Sequence, residues 1–127
     1  MGKVNGGRLA VKALKNEGAE CIFAISGGHV EPLFQGCLDE KIKLIDVRHE
    51  QAAALAAEGW ARVTGQPGIA VGTAGPGVTN LVTGVWNAFE CLVPMIVFGG
   101  RAPLREFDLG AQQEIDSVTL MRSTTKW

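Results

Sequence analysis

The sequence has 127 residues, 46% hydrophobic and 20% charged; this length suits one domain or part of one, and the mixture excludes both disorder and an unbroken membrane-spanning run. Lys plus Arg (12) against Asp plus Glu (13) gives a formal net charge of -1, which lacks the basic footprint of a nucleic-acid or anionic-membrane binder and leaves a small molecule or a protein as the expected partner. Glycine is the outlier at 17 residues, nearly twice the usual ~7% share, and its clusters point to sharp turns.

Residues 1–7 carry no apolar stretch or cleavage site of a secretory signal, and Gly6 stands where a myristoylation motif needs Ser or Thr. Leu9, Ala10, Ala13 and Leu14 recur at helical spacing, which predicts a helix over 7–17, stopped by Asn16-Glu17-Gly18. Cys21 to Ile25 is a short apolar run closed by Ser26-Gly27-Gly28, which reads as a buried strand. The alternation continues with a helix over 29–38, a strand over 43–47, an alanine-rich helix over 49–64, a strand over 68–73, a helix over 77–89 and a strand over 95–99. Short strands alternating with longer helices predict an α/β fold, a parallel sheet with helices on both faces. Between Val63 and Gly100 the one charged residue is Glu90, but Pro67, Gly75-Pro76-Gly77 and Pro94 break the segment well short of a membrane span. Burial on more than one side is expected there instead. Cys21, Cys37 and Cys91 are odd in number and include no C-x-x-C pair, so they are expected as reduced core residues, and the chain as cytoplasmic.

Ligands of open α/β sheets bind outside the carboxyl ends of the strands. Ser26 to His29, Val47 to Glu50 and Thr73 to Asn80 all fall there and are expected to share one rim. Glu50, in the first turn of its helix, reads either as a carboxylate answering the helix dipole or as a functional group. Glu58 and Arg62 make an i,i+4 pair expected on a solvated stripe, and Glu50 lies about 80° from Glu58 around the helix. It therefore faces something else. His29 reads as a cap, a satisfied core residue or an acid/base group; it has no partners at metal-ligand spacing. His49 receives no role. Gly75-Pro76-Gly77-Val78-Thr79-Asn80 is a poor phosphate turn: Asn80 stands where the dinucleotide fingerprint wants a small residue, there is no Gly-Lys-Ser/Thr, and Pro76 lacks an N–H. A tight turn that brings backbone close to a neutral ring is the alternative.

Taken together, Gly27-Gly28-His29, Arg48-His49-Glu50-Gln51-Ala52-Ala53, Ala57-Glu58-Gly59-Trp60-Ala61-Arg62, Thr73-Ala74-Gly75-Pro76-Gly77-Val78-Thr79-Asn80 and Gln113-Glu114-Ile115-Asp116 resemble the N-terminal, pyrimidine-binding domain of thiamine diphosphate enzymes of the acetolactate synthase group. The resemblance covers nearly the whole chain in order. It implies that Glu50 hydrogen-bonds N1′ of the aminopyrimidine and favours the imino tautomer, whose nitrogen removes the thiazolium C2 proton. It also implies that Thr73, Pro76 and Asn80, with Gly27 and Gly28, line the cofactor pocket, and that His29 and Gln113 face the reacting carbon. The cofactor carries the difficult chemistry and the protein orients it and moves protons. Acetolactate synthases usually have Pro-Gly-Gly-Ala at the first turn, where this chain has Ser26-Gly27-Gly28-His29, closer to benzaldehyde lyases and some 2-hydroxyacyl-CoA lyases. That shifts the expected substrate toward 2-hydroxy-ketones or 2-hydroxyacyl thioesters.

In the same family Mg²⁺ and the diphosphate are held by a Gly-Asp-Gly motif and a downstream Asn on a second domain from another subunit. No Gly-Asp-Gly occurs here. The resemblance thus implies that the Mg²⁺ ligands lie outside this chain, and that residues 1–127 are a C-terminally truncated pyrimidine-binding domain, inactive alone. It implies a lyase or synthase acting on 2-oxoacids or 2-hydroxy carbonyl compounds once joined to its remaining domains. A stand-alone subunit of a two-chain 2-oxoacid decarboxylase and a non-catalytic α/β module are the alternatives. Val82, Val85, Trp86 and Phe89, at helical spacing, are expected at the interface of a homo-dimer or tetramer, or else in the core.

Overall fold

The computed structural model describes residues 5–127; the N-terminal readings that fall on residues 1–4 lie outside the described residues. Helix α1 (Gly6–Asn16) starts on Asn5, whose side chain accepts from the Arg8 N–H at 2.9 Å. Strands β1 (Cys21–Ala24), β2 (Lys43–Asp46), β3 (Gly68–Gly72) and β4 (Met95–Gly99) then alternate with helices α2 (Glu31–Glu40), α3 (Glu50–Thr64) and α4 (Pro76–Glu90). All neighbouring strands are parallel, in the order β2-β1-β3-β4. The ends fall within two residues of the sequence expectation. The main difference is that Gly28–Val30 forms a 3-10 turn before α2 begins.

Successive side chains of a strand point to opposite faces, and the core divides accordingly. Ile22, Ala24, Ile69 and Val71 bury against Val11 and Leu14 of α1 and Leu33, Phe34 and Cys37 of α2. Cys21, Phe23 and Ala70 bury against Ala53, Ala54 and Ala57 of α3 and Leu81 and Val85 of α4. The small residues let α3 lie close: a Cβ on Gly68 would overlap the Ala57 carbonyl. Helices on both faces explain how β3 can be buried throughout. After β4 the chain forms a 3-10 turn (Leu104–Glu106) and a short helix α5 (Ser117–Met121).

Two residues sit otherwise than expected. Glu58 is buried at 7% exposure, because Arg62 folds along α3 and donates from Nε and an Nη to its Oε1 at 2.9 and 2.6 Å. A buried carboxylate needs such donors, and only the guanidinium end of the pair meets solvent. Cys91 is exposed, whereas Cys21 and Cys37 are buried; α4 ends at Cys91 and the chain turns away at Leu92, φ 55. Val85 belongs to the core, while Trp86 and Phe89 remain 50% and 43% exposed.

Candidate active site

The chain steps from β1 to β2 on one side, then crosses to β3 on the other side of β1. The connections leaving the carboxyl ends of β1 and β3 therefore diverge, and a crevice opens between them. Ala24 pairs with Asp46 and with Val71, and Gly72 pairs with Gly99. This register sets the three candidate turns side by side on one rim, as expected.

Glu50 is the first residue of α3 and is buried at 9% exposure. Its carboxylate points to α4, where Asn80 donates from Nδ2 to Oε2 at 2.9 Å. Among the described residues Oε1 accepts no hydrogen bond, and no unpartnered buried side-chain oxygen or nitrogen is present, so Oε1 keeps access to solvent. One oxygen is held and the other is free to accept from a ligand. The helix N-terminus favours the negative charge. His49, without a role in the sequence reading, is the N-cap of α3, its Nδ1 accepting from the Gln51 N–H at 3.1 Å. The signal was its place directly before the helix; histidine is an uncommon cap compared with Ser, Thr, Asp or Asn.

Across the crevice, His29 Nδ1 lies 3.3 Å from Thr73 Oγ1, which joins the β1 turn to the β3 turn. Either partner can donate, according to the tautomer. In both cases the ring is fixed and Nε2 has no hydrogen-bond partner among the described residues. Gly27 makes room for Thr73, since a Cβ on Gly27 would stand 2.5 Å from Thr73 Oγ1. Gly100, just beyond β4, lies against the other side, 2.9 Å from His29 Cβ to a Cβ built there. Gly28 has open space around it.

The turn into α4 is tight, and its N–H groups beyond Gly75 are committed. Gly77, Val78 and Thr79 N–H groups bond to Ala74 or Gly75 carbonyls at 3.4, 2.9 and 3.0 Å, and Pro76, exposed in the first turn of α4, has none. The geometry supports the close-backbone reading of this turn over the phosphate reading. Gly75 has φ 59, and a Cβ there would stand 2.6 Å from the Gln113 carbonyl oxygen. Gln113 thus reaches the rim by its backbone, and its exposed side chain makes no hydrogen bond among the described residues. Its neighbours hold the loop: Glu114 accepts from the Asp108 and Ala111 N–H groups at 2.9 and 3.3 Å. Asp116 caps α5 by accepting from Thr119 N at 3.0 Å, and the Thr119 side chain first, then this backbone bond, hold its carboxyl below the ordinary value. The rim therefore contains two linked pairs, Glu50 with Asn80 and His29 with Thr73, plus Gln113 against Gly75. Among the described residues no group of three or more His, Cys, Asp or Glu converges that could hold a metal ion.

The family model described as "Thiamine pyrophosphate enzyme, N-terminal TPP binding domain" matches residues 4–120. The chain is 44% identical over 124 residues to acetolactate synthase large subunit IlvG of Mycobacterium tuberculosis, a match covering 98% of this chain and 23% of that protein. It is 41% identical over 123 residues to 2-hydroxyacyl-CoA lyase 2 of Bos taurus and 39% to that of Homo sapiens, each match covering 97% of this chain and 20% of the relative. The chain thus spans about a fifth of the length of these relatives.

Proposed function

The chain belongs to the thiamine pyrophosphate enzymes, as an N-terminal TPP-binding domain, and from that membership we propose that it supplies the pyrimidine-binding half of an active site. The enzyme so completed is an acetolactate synthase-like carbon–carbon lyase or synthase acting on 2-oxoacids or 2-hydroxy carbonyl compounds. The observation that carries this reading is the Glu50 carboxylate, buried at a helix N-terminus with Oε2 held by Asn80 and Oε1 open. Thiamine diphosphate, when bound, supplies the electron sink for breaking or making a bond beside a carbonyl.

The residues of this chain orient that group and handle protons. Glu50 Oε1 holds the N1′ edge of the aminopyrimidine and shares a proton with it. Thr73, Pro76, Gly27 and Gly28 form walls of the pocket, where the tight turns allow a flat ring to approach backbone. His29 exchanges a proton with substrate through Nε2, its ring held by Thr73; Gln113 lines the same side. The Gly77, Val78 and Thr79 N–H groups of the α4 turn are already bonded and Pro76 has none, so we assign the ligands of the diphosphate and its Mg²⁺ to the remaining domains of the enzyme. His29 at the rim favours cleavage or ligation of 2-hydroxy carbonyl compounds over acetolactate formation, because a histidine adds a ring nitrogen that can pass a proton to or from substrate.

Glu50→Gln in the assembled enzyme tests the proposal. It keeps the volume and removes the charge, and turnover should fall by about 10²-fold or more, the usual contribution of a placed acid/base group. Undiminished turnover would instead assign the chain to a non-catalytic α/β module. We place the enzyme in the cytoplasm, consistent with three unpaired cysteines. We also propose a homo-dimer or tetramer that covers Trp86 and Phe89 on α4; a strictly monomeric species in light scattering at every concentration would refute it.

A further inference from the structure

Glu50 and Asn80 lie one helical turn from a second contact between the same two helices. Gly84 faces Ala54 so closely that a Cβ on Gly84 would stand 2.5 Å from the Ala54 Cβ and 3.0 Å from the Leu55 nitrogen. Glu50 to Ala54 and Asn80 to Gly84 are both four-residue steps, each about 6 Å along a helix axis. The two contacts are therefore successive rungs between helices that run side by side in the same direction. The glycine rung sets the spacing and axial register of α3 against α4. At that spacing the short Asn80 side chain, with two torsions, reaches Glu50 Oε2 at 2.9 Å. Glu50 has three torsions and stands at the very start of its helix, so its own element does little to aim the carboxylate. A carboxylate only accepts and a carboxamide can donate, which makes Asn80 a suitable neutral partner for an oxygen that must stay charged.

We propose that Asn80 is a positioning residue: across the glycine-spaced α3–α4 pair it pins Glu50 Oε2 and so presents Oε1 to the bound pyrimidine, acting through Glu50 rather than as a wall of the pocket. This rests on the function proposed for Glu50 and assigns Asn80 a role different from the pocket contact that the family resemblance implies. A wall residue acts on the ring whether or not Glu50 is present; a positioning residue acts only while there is a carboxylate to position.

A double-mutant cycle in the assembled enzyme separates the two, read as thiamine diphosphate affinity from tryptophan fluorescence of the cofactor-free protein, with kcat and KM alongside. Asn80→Ala should weaken cofactor affinity and lower kcat by about 10-fold, as expected for losing a hydrogen bond to a charged group, with the KM for the carbonyl substrate little changed. In a Glu50→Ala background the same substitution should change affinity by less than about 2-fold. Asn80→Asp, of the same size but with the donor replaced by an acceptor, should lose at least as much as Asn80→Ala while Glu50 is present, and little once Glu50→Ala is made; it carries the test should Asn80→Ala fold poorly. Equal losses in both backgrounds overturn the positioning role in favour of a pocket wall. Parental affinity and turnover in Asn80→Ala beside an inactive Glu50→Gln enzyme also overturn it, and leave the proposed function standing. A fully active Glu50→Gln enzyme overturns the proposed function itself.

Discussion

Gly84→Ala puts a methyl group into the narrowest part of the α3–α4 interface. The new carbon would stand 2.5 Å from the Ala54 Cβ and 3.0 Å from the Leu55 nitrogen, whereas carbons in contact rest at about 3.5–4.0 Å. The helices must part by roughly 1 Å, and because one of the obstructing atoms is backbone no rotamer change relieves it. Because backbone cannot yield, the cost is taken from the upper part of the overpacking range, about 2–3 kcal/mol, and alanine in place of glycine inside a helix returns roughly 1 kcal/mol. The expected net loss is about 1–2 kcal/mol, which for a domain of this size lowers the melting temperature by roughly 4–10 °C. Thermal unfolding followed by circular dichroism measures it. The control exchanges the two residues: Ala54→Gly with Gly84→Ala moves the methyl from one helix to the other and should return stability to within about 0.5 kcal/mol of the parent. Gly84→Ala melting at or above the parent would refute the reasoning, as would an exchange that is merely the sum of its parts. The same separation moves Asn80 away from Glu50, so cofactor affinity should fall in Gly84→Ala and recover in the exchange.

Cys91 is exposed while Cys21 and Cys37 are buried, so one thiol of the native protein should react quickly with an aromatic disulfide and the other two only after unfolding; two fast thiols would contradict the burial. Burial pushes the Cys37 thiol up from 9.0 to about 11, so its neutral form contributes stability that is complete below the unfolded value and is lost as pH rises from 9.0 toward 11. Cys37→Ala should remove that part of the alkaline limb, and an unchanged limb would exclude this thiol as its source. Gly75→Ala forces a side chain onto φ 59 and against the Gln113 carbonyl, a strain of about 1–3 kcal/mol. Faster limited proteolysis within residues 108–113 is the expected sign, and parental protection together with a parental melting temperature would refute it.

The eight longer elements were legible because each is announced locally. Apolar residues at period 3.6 mark α1, the unbroken runs ending in glycine mark β1 and β3, and proline with glycine opens α4. The direction of Glu50 away from Arg62 was also readable from helical angles, although Glu58 turned out to be buried beside it: a guanidinium folding over a carboxylate leaves no mark in periodicity. Cys91 went astray for a related reason, since burial depends on where a helix ends and on what lies across from it. Residues 100–127 carry no strong period. They are held by single side-chain-to-backbone bonds such as those of Glu114 and Asp116, too local and too varied to announce an element.

By itself, the sequence determined the α/β class, the strand ends that form the rim and the residue types placed there, because period, turn chemistry and composition act within a few residues of each other. Only the tertiary structure decided which of those residues meet. Asn80 reaches Glu50 across 30 positions and Thr73 reaches His29 across 44. Those distances are closed by the strand order and by glycines at Gly27 and Gly84 that let backbone and side chain approach, and such steric fit exists only once the layers are packed.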